Sequence, residues 1–198
     1  MFIKPSSKKS KKPVHRDPPR RWHYTTEAHL PKILRSGVLL PATCGVDNGE
    51  RPAVWTSANP VWEETANKGY VDEATGMTRT GTKATTAARG GLARIEVRPE
   101  AAPYDWVAFR AESGIHPRIA RGLAEAAVAA GANPYEWFVS FEPIEMDDWL
   151  DIEVWRDGRW VTFARRTADT DHPQQAEVAP KSTTMLRSAS NESADMVK

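Results

Sequence analysis

Apolar positions in this chain change period several times, and the changes mark the elements. Arg21–Thr25 alternates as a short strand would, and Leu30, Ile33 and Leu34 then recur at helical spacing. Pro31 suits a first helical turn and Gly37 the residue just past a helix end. Val38–Leu40 leads into a loop holding Cys44, Asn48, Gly49 and Pro52, and Ala53–Ser57 reads as a strand. Pro60 opens an expected helix over Val61–Lys68. Residues 72–91 are rich in Thr, Gly and Ala with little pattern, which predicts a long loop. Leu92–Val97 and Trp106–Phe109 read as strands. Pro117 begins a helix whose apolar face is Ile119, Leu123, Ala126, Ala127 and Ala130, stopped by Gly131. Trp137–Phe141 reads as a strand. Leu150, Ile152 and Val154 alternate with Asp151, Glu153 and Trp155, and Asp157-Gly158 turns that strand into Trp160–Phe163.

This order lacks the βαβ alternation of a doubly wound fold, so an α+β domain with mainly antiparallel sheets is expected. Its bounds are 21–166. The basic stretch 1–20 and the polar stretch 167–198 are expected to be disordered, because neither carries the apolar surface that offsets ordering entropy.

The 198 residues are about 40% hydrophobic and 27% charged, with a net charge of +1, as in an ordinary globular protein. The charge is uneven: between residues 4 and 21 stand eight Lys and Arg against Asp17 alone, a set able to touch phosphates. One cysteine, Cys44, excludes an internal disulfide, and no apolar run is long enough to span a bilayer. The basic N-terminus is followed by no apolar stretch, so a cytoplasmic location without membrane attachment is the expectation. Five His and one Cys show no metal-ligand spacing, and no metal is expected. No phosphate-cradling Gly loop and no Gly-x-Ser-x-Gly turn is present.

Three segments stand out: Trp22-His23-Tyr24-Thr25-Thr26 with its helix ending in Ser36-Gly37; Ala53-Val54-Trp55-Thr56-Ser57 followed by Trp62 to Tyr70; and Val139-Ser140-Phe141-Glu142-Pro143-Ile144. In this order they resemble the ADP-ribosyltransferase superfamily, in the branch shared by diphtheria toxin and the poly(ADP-ribose) polymerases. Tyr24 stands where that branch usually has Gly, and Pro143 where it often has an aromatic. The resemblance spans roughly residues 21–70 and 136–155. It implies a split fold of two mainly antiparallel sheets with flanking helices, and NAD as co-substrate.

The resemblance also implies roles. His23 would bond the adenosine ribose, Tyr24 would offer backbone groups to the nicotinamide carboxamide, and Thr25 would support the strand or the ribose. Ser57 falls on the second strand of the cleft. Trp55, Trp62 and Tyr70 are the candidates for aromatic walls around nicotinamide, whose flat ring favours offset stacking. Glu142 would be the catalytic carboxylate, with Glu145 as fallback. Chemistry asks for such a group: breaking the glycosidic bond of NAD leaves positive charge on the ribose, and a fixed carboxylate stabilises that charge as it develops. The carboxylate must therefore share one hollow with His23.

The function implied is transfer of ADP-ribose to a protein or nucleic-acid acceptor with release of nicotinamide, in a toxin-like or effector-like enzyme. An RNA 2'-phosphotransferase or NAD glycohydrolase on the same fold remains open. So does a non-catalytic NAD- or nucleic-acid-binding module held by its basic arm.

Overall fold

The computed structural model describes residues 19–165. Residues 1–18 and 166–198 lie outside that range, and with them most of the basic arm and the polar C-terminal stretch. The strands are β1 (Arg21–Thr25), β2 (Val38–Leu39), β3 (Val54–Ser57), β4 (Tyr70–Val71), β5 (Thr78–Arg79), β6 (Ala93–Val97), β7 (Tyr104–Asp105), β8 (Trp137–Ser140), β9 (Ile144–Glu145), β10 (Trp149–Arg156) and β11 (Arg159–Arg165). The helices are α1 (Leu30–Ser36), α2 (Lys83–Gly90), α3 (Trp106–Glu112) and α4 (Pro117–Ala129). The fold is mixed α and β around a large antiparallel sheet. In place of two comparable sheets there is one of seven strands, ordered β11-β10-β6-β1-β3-β8-β7, with the small pairs β2-β9 and β4-β5 beside it.

β6 is buried along its whole length, and its two faces are chemically different. Ala93, Ile95 and Val97 join Leu30, Leu39, Val54, Ile144, Trp149, Ile152 and Val154 in the main apolar core. The other face carries Arg94 and Glu96. Cross-strand partners share a face, so Trp22 and Tyr24 of β1, opposite Glu96 and Arg94, lie there too. Charges buried at such a place must be paired. Arg94 reaches Glu153 at 2.7 Å and stacks over Trp22 and Trp160, and Glu96 pairs with Arg20.

α1 follows its sequence signals. Pro31 sits in the first turn, and Gly37 takes φ +68° past the end, where its N–H closes on the Ile33 carbonyl. α4 and the β10–β11 hairpin also fall where the pattern places them.

Three expectations are corrected. Trp106–Phe109 is the start of helix α3, not a strand: the Asp105 carboxylate accepts from the Ala108 N–H at 2.8 Å, and Trp106 and Phe109 bury at helical spacing. The expected helix 61–68 shrinks to a 3-10 turn at Glu64–Ala66. The loop 72–91 contains β5 and the two-turn helix α2, which opens with a reciprocal cap between Thr82 and Thr85.

Candidate functional site

The site begins where the sheet parts. β1 and β3 are neighbours, yet they pair in register only at Trp22 and Ser57. One residue further along β1, the His23 Nδ1 lies 2.9 Å from the Trp55 carbonyl oxygen. A carbonyl only accepts, so Nδ1 carries the proton and Nε2 keeps its lone pair. Burial pushes the imidazole down to about 4; the Trp55 carbonyl pulls it up by less, and the Lys68 charge lowers it further. His23 is therefore a neutral hydrogen-bond acceptor at pH 7.

That shift has a stability consequence. Folding lowers the imidazole from 6.5 to about 4, so between those values the unfolded chain binds the proton more readily. The contribution of neutral His23 is full above pH 6.5 and is lost as pH falls toward about 4. Unfolding free energy measured across that window should fall more steeply for wild type than for His23→Gln. Equal slopes would remove the buried neutral imidazole from the account.

Around His23 opens a cavity of about 430 Å³, within the size range of small-molecule sites. Its polar wall is His23, Thr56, Ser57, Glu63, Thr65 and Lys68; its aromatic wall is Trp55, Phe109 and Trp137. Leu40, Val46, Ile115, Ile119 and Leu123 add an aliphatic rim, and Cys44, Glu50 and Arg51 complete the loop side. The α4 residues expected in the core are among these. Ile119 and Leu123 are 45% and 39% exposed; of the expected face Ala127 is buried, together with Ala120. Ala120 and Ala127 join the cluster of Trp106, Phe109 and Trp137, while Ile119 and Leu123 border the hollow.

Glu63 is the carboxylate held most firmly there, at 6% exposure. Ser57 Oγ donates to Oε2 at 2.8 Å, while Thr65 donates to Oε1 through its hydroxyl at 2.7 Å and its backbone N–H at 3.2 Å. These bonds from two residues fix the position of the carboxylate.

The structure brings together His23, Tyr24, Trp55 and Ser57, all of which line the cavity. The Tyr24 ring turns away into a cluster with Trp62 and Trp160, its hydroxyl on the Asn59 carbonyl. Ser57 spends its hydroxyl on Glu63 and on the Asn59 N–H. Thr25 is buried in β1 beside Ala93 and stands outside the cavity wall. So does Trp62, 3% exposed in the Tyr24 cluster, and so does Tyr70, whose ring lies under the Arg89 guanidinium. Glu142 is exposed and is likewise absent from the wall. Just past β8, Ser140 Oγ accepts from the Glu142 N–H at 3.1 Å and donates to its carbonyl at 2.7 Å, a tight local turn. The fallback Glu145 is exposed on β9, paired with Val38. Of the basic residues between 4 and 21, Arg20 and Arg21 are described. Arg20 pairs with Glu96, and Arg21 is buried against the Pro99 and Ala102 carbonyls.

Glu63, Lys68 and Phe109 were not singled out from sequence as site residues. The nearest signal for the first two is their place directly after the Trp55 strand, and for Phe109 its helical spacing from Trp106. Among the described residues, no helix is long and apolar enough to cross a membrane. No protein-family model, curated protein or solved structure matches the chain.

Proposed function

We propose that the chain is an NAD-dependent ADP-ribosyltransferase that binds its co-substrate in the cleft between β1 and β3 and passes ADP-ribose to a macromolecular acceptor. The observation that carries this reading is the locked imidazole in the gap between strands. Nδ1–H donates to the Trp55 carbonyl, which leaves Nε2 able only to accept, and a ribose hydroxyl is a donor of the right kind. The half-buried Trp55, packed edge-on against Trp137 at 5.7 Å and Phe109 at 4.6 Å, gives the same hollow an aromatic wall for a flat base.

The reaction also needs a negative group beside the ribose as nicotinamide leaves. The resemblance points to Glu142, but the exposed position of that residue outside the cavity favours Glu63, which lies in the wall with His23. In this reading Glu63 stabilises the cationic ribose, His23 holds a sugar hydroxyl, and Trp55 bounds the base.

Binding provides the direct test. Titrated NAD should quench the emission of Trp55, and His23→Ala should weaken NAD affinity about tenfold, the worth of one good hydrogen bond in a desolvated site. If NAD leaves wild-type fluorescence and calorimetry unchanged, the proposal fails.

A further inference from the structure

The polar wall holds a cation that none of these roles uses. Lys68 lines the cavity, and among the described residues its ammonium forms no ion pair. Lys68 as a whole is exposed, while partial burial of its ammonium holds it below the ordinary lysine range. The acids of the wall are otherwise placed. Glu63 has both oxygens on Ser57 and Thr65, and Glu50 accepts from the Asp47 N–H on the loop side.

The backbone at this position is held from both sides. The Lys68 N–H donates to Thr86 Oγ1 at 3.1 Å, and Thr86 is itself buried, 3% exposed, in the first turns of α2. On the other side, Gly81 packs so closely that a Cβ there would collide with the Lys68 carbonyl oxygen and meet Thr85 Oγ1 at 3.0 Å. Thr85 belongs to the reciprocal cap that starts α2. These two contacts fix the main chain from which the exposed Lys68 side chain springs, and preorganised groups lose less freedom on binding.

We infer that Lys68 receives the anionic phosphate group of the cavity's ligand, and that Gly81 and Thr86 are positioning residues that aim it. The inference rests on the nucleotide reading above for the identity of that ligand, which would bring a diphosphate to the wall. Lysine suits this role as a point charge for phosphate oxygens. It also gives the 72–91 segment a purpose: α2 acts as the abutment of the cavity's cation.

Calorimetric titration of NAD, ADP, adenosine and inorganic pyrophosphate into wild type, Lys68→Met and Lys68→Arg tests the inference. Lys68→Met should bind NAD and ADP at least about tenfold more weakly, as loss of a charged hydrogen bond requires, and leave adenosine unchanged. Lys68→Arg should restore most of the loss. Thr86→Val and Gly81→Ala should raise KM for NAD with kcat held, because a displaced cation weakens binding in the ground and transition states alike. A purely structural role would lower the folded fraction and leave KM where it was. If NAD and ADP bind wild type and Lys68→Met equally, the assignment of Lys68 is overturned and the NAD reading stands. If only pyrophosphate binds, and only when Lys68 is present, the anion site stands and the NAD reading falls. If none of the four binds wild type, both fall.

Discussion

Glu63→Gln should slow nicotinamide release from NAD by about 100-fold or more, while Glu142→Ala should leave the rate close to wild type. The magnitude follows from what a single preorganised electrostatic group contributes where charge develops in a water-poor site. Gln keeps the volume of Glu, and its carbonyl oxygen can still accept from Thr65, so the turn at Glu64–Ala66 should survive. What it removes is the negative charge, together with one acceptor for Ser57 Oγ. Glu142 has no comparable setting: its side chain is exposed, and its backbone is tied to Ser140 Oγ beyond the end of β8. Single-turnover release of nicotinamide separates chemistry from binding, and a thermal melt of each variant separates both from unfolding. The reverse pattern, with Glu63→Gln active and Glu142→Ala dead, would return the carboxylate role to residue 142. It would also require the turn at 141–143 to swing inward on binding.

The difference between these two glutamates shows how far the chain could be read in advance. Elements with a strong local signature were legible. α1 has Pro31 and Gly37 at its ends, the β10–β11 hairpin has Asp157-Gly158, and β6 alternates Ala93, Ile95 and Val97 with Arg94 and Glu96. α3 was misread because Trp, Val and Phe favour strands, and the Asp105 cap that outweighs them is one residue long. α2 was missed because its buried residue is Thr86 and its apolar content is alanine, so no period shows. The site was legible where it follows the strands: His23, Trp55 and Ser57 recur on neighbouring strands, and the cavity collects them. Glu63 and Lys68 were not, because single charges in a turn carry no period, and their value lies in what folds around them. Thr86 and Gly81 sit 18 and 13 residues further on from Lys68, and nothing local in the sequence ties them to it.

Trp62→Ala should cost about 3–5 kcal/mol of folding free energy, the range for removing a buried aromatic, and should leave the NAD affinity of the folded protein unchanged. The resemblance makes Trp62 and Trp55 candidate walls for nicotinamide, Trp55 on its strand and Trp62 just after it. The structure separates them. Trp55 is half-buried and faces the cavity, whereas Trp62 is 3% exposed and packs edge-on to Tyr24 at 5.1 Å and parallel to Trp160 at 6.3 Å. Its indole N–H is also satisfied internally, donating to Asn67 Oδ1 at 3.0 Å, so no donor remains to greet a ligand. Removing the ring leaves a void beneath Tyr24 and Leu92, bordered by the Arg94–Glu153 pair that the cluster helps to keep from water. Urea unfolding of Trp62→Ala should show the midpoint drop, and NAD calorimetry on the same sample below its transition should show the wild-type Kd. A variant that stays as stable as wild type but loses NAD would make Trp62 a binding wall after all, and the cavity drawn here would have to extend through the Tyr24 cluster.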